Sequence, residues 1–301
     1  MRQSIKDIFK RHGWRLDRAL HNFVYFYFYK PYVKGAEILT KTTVILLGWI
    51  KPLKVIPRFI FERYHSKIIS TGDVTKILSL EEDIDLGKDR NRRVIPFKYA
   101  NRILFKNPKF IAVMDCPCAL NQKGERCEPL GKCISVGQDF APLWIENCSK
   151  KYNARQISQK EALDIIKQAR ASGHITNAFF KVATGGISGV ICSCCPKCCV
   201  EFMSTKLSQK FDKNIKMYSE SGYSVKCDSA KCTLCGKCGE ICPFDAVTVK
   251  NGNYVYDKKA CMGCGLCVEH CPESALDLYR DTDKLLPLDI DLLKKEMDAT
   301  K

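Results

Sequence analysis

The sequence of 301 residues is poor in several things. It has five His and three Trp, no Walker-type phosphate loop and no strand–GxGxxG–helix unit, so no nucleotide cofactor site is expected. No His falls in a Cys–His finger pattern, and there is no recognition-helix or RNA-platform signature, so no nucleic-acid partner is expected. No stretch reaches the ~20 apolar residues of a spanning helix. Glu37 and Lys41 interrupt the most apolar region, Lys51-Pro52 closes it, and its longest uncharged stretch is Thr42–Ile50. The opening MRQSIKDIFK has no short apolar run followed by a small-residue cleavage site, which argues against a secretory signal and for a reducing, cytoplasmic setting.

What the sequence has in excess is cysteine and positive charge. Of 19 Cys, 14 lie between Cys192 and Cys271, many only two or three residues apart. Sulfurs that close in sequence strain a mutual disulfide but suit a shared metal. The formal charge of +16 is unevenly spread: +10 over residues 1–70, +8 over 71–221 and −2 over 222–301.

The same shifts in composition divide the chain into an N-terminal region (1–70), a cysteine-rich domain (71–221), a second cysteine domain (222–280) and a C-terminal helix or tail (281–301). In the first, FVYFYFY, VILLGWI and FIF alternate with Lys30, Lys34, Lys41, Lys51, Lys54 and Arg58. Aromatic and basic residues together suit a headgroup boundary, so a non-spanning, peripheral membrane contact is expected. A helical hairpin packed on the chain's own core or on a partner is the alternative. Ser70–Arg93 reads as a polar connector. Phe110–Met114 reads as a buried strand delivering Cys116 and Cys118, and Ala178–Val182 as a second one. Between them Ser158 and Glu161 have capping-box spacing, Ala162, Leu163, Ile165, Ile166 and Ala169 form a stripe, and Gly173 marks a helix stop. Thr184-Gly-Gly-Ile-Ser-Gly189 suits a turn approaching a metal group. The middle region is thus expected to be α/β within an overall α+β chain.

The strongest pattern is an internal repeat. Cys232-Thr-Leu-Cys235-Gly-Lys-Cys238-Gly-Glu-Ile-Cys242-Pro243 recurs, 29 residues on, as Cys261-Met-Gly-Cys264-Gly-Leu-Cys267-Val-Glu-His-Cys271-Pro272. Each copy is C-x2-C-x2-C-x3-C-P, a spacing that wraps three thiolates on one face of an iron–sulfur cube and sends the fourth elsewhere. Zinc, which takes one closed tetrahedral set, does not explain eight cysteines in two copies each ending in Cys-Pro. Ala246–Val249, Asn251-Gly252 and Tyr254–Tyr256 read as a hairpin between the copies. Residues Ser224–Arg280 resemble the bacterial-type ferredoxin with two [4Fe–4S] clusters. The resemblance implies crossed ligation: Cys232, Cys235, Cys238 and Cys271 for the first cluster, and Cys261, Cys264, Cys267 and Cys242 for the second. It also implies low-potential one-electron carriers, near or below about −400 mV. With −2 per ligated cluster, the C-terminal part becomes an acidic head on a basic body, a charge asymmetry that orients encounter with a redox partner.

Upstream lie Cys116, Cys118, Cys127, Cys133, Cys192, Cys194, Cys195, Cys198 and Cys199, five of them within eight residues. Cys116-Pro-Cys118, Cys127, Pro129, Cys133, Gly137 and Ile191–Cys199 resemble the cysteine-rich domain that stands beside ferredoxin modules in iron–sulfur proteins of anaerobes. One or two further iron–sulfur clusters are expected there, with zinc or redox-active dithiols as alternatives. For a single cluster, the set favoured is Cys118, Cys127, Cys133 and one sulfur from Cys194–Cys199. Cys148 and Cys227 lie outside both patterns and read as core or spare thiols, and His174 and His270 read as lone residues without a catalytic role.

The function expected from the sequence is therefore one-electron transfer, with redox proteins as partners, in a membrane-associated anaerobic redox complex. The alternative is a reductase whose upstream iron–sulfur site acts on a small thiol, disulfide or thioester.

Overall fold

The computed structural model describes residues 14, 16–47, 64–85, 91–96, 103–122, 127–181, 188–210, 212 and 215–298. Lys51, Lys54, Arg58 and the aromatic group at 59–61 lie outside the described residues, as does most of the Thr184–Gly189 segment.

Two helices come first, α1 (Leu16–Tyr27) and α2 (Tyr29–Leu47). Their aromatic residues divide between two sides. Tyr25, Tyr29 and Val33 are buried, with the Tyr25 hydroxyl donating to that of Tyr29 at 2.6 Å and Tyr29 meeting Tyr152 edge-on. Leu16, Leu20, Phe28, Ile38, Leu39, Ile45 and Leu46 are exposed. Among the described residues, no helix is long and apolar enough to cross a membrane.

After β1 (Tyr64–Ile68) comes α3 (Thr71–Leu78), where the sequence suggested a connector. Ser70 and Asp73 satisfy one another: the Ser70 hydroxyl accepts from the Asp73 N–H at 3.1 Å, and the Asp73 carboxylate accepts from the Ser70 N–H at 3.3 Å. This closes the capping box and frees Val74, Ile77 and Leu78 to face the core. Polar letters at a helix start were thus mistaken for linker composition. Next come β2 (Ile84–Asp85), α4 (Asn91–Val94) and β3 (Leu104–Phe105), with β2 and β3 paired.

The expected buried strand is β4 (Ile111–Asp115), followed by α5 (Pro117–Leu120), β5 (Gly131–Val136), α6 (Ala141–Tyr152), β6 (Arg155–Ile157), α7 (Gln159–Ala171), β7 (Ile175–Lys181), β8 (Val190–Cys194), α8 (Val200–Ser208) and β9 (Tyr218–Ser219). Ser158 caps α7 by accepting from the Glu161 N–H at 3.1 Å, but the Glu161 carboxylate turns to Arg155, so half of the box forms. Gly173, at φ +77°, ends the turn after the helix.

Seven strands make one sheet in the order β6-β4-β5-β8-β7-β1-β9. Every pairing is antiparallel except β1 with β9. The middle region is therefore not the α/β arrangement expected from alternating runs. Helix-bearing connections lead between antiparallel strands here, and the chain as a whole is α+β. β1 also brings into this sheet residues assigned above to the N-terminal region.

Alternation along the strands sorts the core into two layers. One face presents Ile111, Val113, Ile134, Phe180 and Ile191 to α3 and α7. The other presents Met114, Cys133, Phe179, Cys192 and Cys194 to α1, α2, α6 and α8. The thiols thus gather on one side of the sheet because they occupy alternate strand positions, and β5–β8 pairing sets Cys133 directly opposite Cys192.

The remaining chain supplies β10 (Tyr223–Cys227), α9 (Lys237–Glu240), β11 (Val247–Lys250), β12 (Asn253–Tyr256), α10 (Leu266–Glu269) and β13 (Leu276–Arg280). β10 pairs with β13, and β11 with β12 across Asn251-Gly252, whose φ values of +50° and +71° suit the expected tight hairpin. The tail then returns to the first face of the sheet: Leu286, Leu288 and Ile290 are buried there, and α11 (Ile290–Asp298) adds Leu293. Lys76 of α3 holds Asp289 and Asp291 at 2.9 Å, fixing the tail to the body.

Candidate metal centres

The sequence repeat is also a repeat of backbone conformation. Positive φ occurs at Leu234 and Gly263, at Gly236 and Gly265, and at Asp245 and Ser274, each pair at the same place in its copy. Gly236 and Gly265 are the N-caps of the matching short helices α9 and α10. Gly263 has no room for a side chain, since a Cβ there would meet the Tyr223 carbonyl oxygen at 2.2 Å, whereas its counterpart Leu234 is open enough to be exposed. Amides turn towards the sulfurs in both copies: Ala246 N–H donates to Cys242 Sγ at 3.4 Å and Ala275 N–H to Cys271 Sγ at 3.3 Å, and Gly263 N–H donates to Cys261 Sγ at 3.4 Å.

Cys232, Cys235 and Cys238 of the first copy line one cavity together with Cys271 of the second, beside Val249, Tyr254, Ala275 and Leu276. A concave site with four thiols, apolar walls and amides aimed at sulfur fits a [4Fe–4S] group. The second set, Cys261, Cys264 and Cys267, is buried, and the charge of Cys242 is felt at both Cys264 and Cys267. Burial pushes the Cys264 thiol up to about 12. The two sets therefore differ in setting: Cys235 is exposed, while the second set faces the body of the protein.

Arg170, at the end of α7, makes that junction. Its buried guanidinium donates to the Cys264 carbonyl at 2.6 Å, to Glu269 at 2.7 Å and to the Thr176 hydroxyl at 3.2 Å. His270 lies near the same seam, within 2.8 Å of the Leu266 carbonyl and 3.3 Å of that of Ala171.

The nine upstream cysteines fall into two groups, and neither matches the mixed set expected for a single cluster. Six form a closed ring of neighbouring thiols, in the order Cys116, Cys118, Cys199, Cys194, Cys192 and Cys133. Hydrogen bonds from Cys118 and Cys133 hold Cys116 well below the usual thiol range, and those from Cys118 and Cys194 do the same for Cys199. Cys133 and Cys192 stand 3.6 Å apart. The other three, Cys127, Cys195 and Cys198, lie with their sulfurs within 4.8 Å of one another. Cys127 thus parts from Cys118 and Cys133, because it belongs to the loop before β5 and meets the turn after β8.

Three residues beside these thiols were not singled out from the sequence as site residues. Lys132 is fully buried, its Nζ 3.5 Å from His174 Nδ1 and 3.4 Å from the Cys127 carbonyl, and the thiolates around it raise its pKa against the cost of burial. His174, read as a lone residue, hydrogen-bonds Cys195, and bonds from Cys198 and His174 bring that thiol down to about 3. Glu201 is fully buried with a carboxylate oxygen within 4.8 Å of the Cys194 and Cys199 sulfurs. Cys148 is a core thiol of α6, pushed up to about 12 by burial, whereas Cys227 neighbours Cys232 rather than standing apart.

No curated protein matches the chain. A family model does match part of it, and its position agrees with the repeat and its paired conformations: residues 231–276 match the model of a 4Fe-4S dicluster domain.

Proposed function

We propose that the protein is a one-electron relay, with an outer [4Fe–4S] site at Cys232, Cys235, Cys238 and Cys271, an inner one at Cys242, Cys261, Cys264 and Cys267, and at least one further iron–sulfur cluster in the six-thiol ring. Such clusters supply reversible one-electron chemistry at low potential. The observation that carries the reading is the turn Arg170–His174. At one end its guanidinium binds the Cys264 carbonyl of the inner set, and at the other its imidazole binds Cys195, next to the ring. Met262, Cys264 and Leu266 share one buried layer with the upstream thiols. The chain thus offers an entry at the surface, a buried second station and a buried terminus, and it excludes water between the last two.

The partner at the exposed end is a redox protein that accepts an acidic head. The exposed apolar residues of α1 and α2, beside Lys30 and Lys41, support contact of the opposite, basic part with an anionic membrane surface. Iron and sulfide analysis tests the relay: anaerobically purified protein should hold about 12 Fe per chain, and about 8 would reject the ring cluster. The buried carboxylate of Glu201 beside Cys194 and Cys199 favours a second reading, in which the ring site also moves protons and reduces a small disulfide or thioester. Turnover of such a substrate by the reduced protein would select it.

A further inference from the structure

Among the described residues, Cys127, Cys195 and Cys198 are the only three cysteines whose sulfurs all lie within 4.8 Å of one another; the ring has close pairs, such as Cys133 and Cys192 at 3.6 Å, but no such trio. In the outer ferredoxin site the sulfurs surround a cavity, as thiolates must when each binds a separate iron corner of a cube. Here the Cys127 and Cys195 sulfurs are 3.2 Å apart and all three lie within 4.8 Å. Thiolates sharing one tetrahedral zinc at about 2.3 Å stand about 3.8 Å from each other. Three mutually close sulfurs therefore suit ligands converging on a single ion.

We infer that Cys127, Cys195 and Cys198 hold one zinc ion in a mononuclear site separate from the six-thiol ring, with a solvent molecule as fourth ligand. This rests on the reading that the upstream thiols are metal ligands, but it assigns three of them away from iron. Three soft sulfurs in a compact group favour zinc among available divalent ions.

His174 is close enough to be considered as the fourth ligand, and its surroundings argue against it. A neutral imidazole that binds metal through one nitrogen carries its proton on the other and gives it to an acceptor. His174 Nδ1 faces instead the Lys132 ammonium at 3.5 Å, a donor. The same imidazole hydrogen-bonds Cys195. His174 is a positioning residue for a ligand thiolate. The charges agree with this: zinc with three thiolates carries −1, and Lys132 supplies the buried counter-charge. The fourth position has a route to solvent because Cys127 is only partly buried.

The test is metal analysis of the full chain purified anaerobically with zinc and iron present and without chelator. The expected result is about one zinc per chain, falling below about one-tenth in Cys127→Ser and Cys198→Ser, with iron and sulfide unchanged. Cobalt grown in place of zinc should give thiolate charge-transfer and tetrahedral d–d bands that Cys127→Ser abolishes. Unchanged ferredoxin EPR signals show that each variant folds. Absence of zinc from the wild-type protein, or loss of iron and sulfide in Cys127→Ser, overturns the inference and returns these thiols to a cluster. Cys192→Ser separates the two readings: it should lower iron by about four and leave zinc in place. About 8 Fe with one zinc per wild-type chain would reject the ring cluster while the zinc site stands.

Discussion

Cys271→Ala is expected to remove the outer cluster and spare the inner one, and Cys242→Ala to do the reverse, although each cysteine sits in the other copy of the repeat. Cys271 lines the cavity of Cys232, Cys235 and Cys238, while Cys242 is felt by Cys264 and Cys267. Each variant should lose about four of the iron atoms. Function should separate them as well. With Cys271→Ala the exposed entry is gone, so reduction by a protein donor should slow by at least about tenfold while a small reductant still reaches the inner site. With Cys242→Ala a donor should still reduce the outer site, and no electron should pass to the ring. Iron content, EPR of the reduced protein and stopped-flow reduction measure these outcomes. Loss of the buried signal in Cys271→Ala would show that ligation follows the order of the sequence, and the relay order proposed above would fall with it.

The repeat was legible because a covalent spacing fixes it. Two copies of C-x2-C-x2-C-x3-C-P can bend only in certain ways, and the paired positive φ values at Gly236 and Gly265 repeat the spacing in three dimensions. The crossing of the fourth cysteines was legible only through the resemblance to ferredoxins. The division of the upstream cysteines was not legible at all. It depends on strand register, which puts Cys133 opposite Cys192, and on a turn after β8 that sends Cys195 and Cys198 to Cys127. Five cysteines in eight residues looked like one unit because periodicity within a strand and the change of direction after it leave no mark in composition. Lys132 was hidden for a similar reason: next to Cys133 in a short apolar run, it reads like any solvated lysine until burial is known. The N-terminal aromatic run was half legible, since its letters do not say which of Tyr25 and Phe28 turns inward.

Arg170 left one usable trace. It stands four residues after Ile166, within the stripe of Ala162, Ile166 and Ala169 that α7 turns to the core, a place where a charge needs a partner. Its replacement by Met is expected to have two effects that separate structure from tuning. The side chain is 2% exposed, and removing it leaves the Cys264 carbonyl, Thr176 and Glu269 without their shared donor. Breaking one side of a buried pair costs about 3–5 kcal/mol, and the lower end applies because Glu269 is itself 33% exposed. The second effect is on the inner cluster. Reduction adds a negative charge there, and a guanidinium on the Cys264 backbone stabilises it. At about 7 Å and an effective dielectric near 20, the interaction is about 2 kcal/mol, or on the order of 100 mV for one electron. Arg170→Met should therefore move the inner potential downwards by tens of millivolts or more, the unmatched Glu269 carboxylate adding to the shift, while the outer cluster keeps its potential. Arg170→Lys should restore most of the potential but not the stability, because an ammonium cannot reach all three acceptors. An EPR-monitored redox titration beside a thermal melt distinguishes these outcomes. A loss of stability with both potentials unmoved would reduce Arg170 to a structural tie. A shift confined to the outer cluster would mean that the inner and outer assignments are reversed.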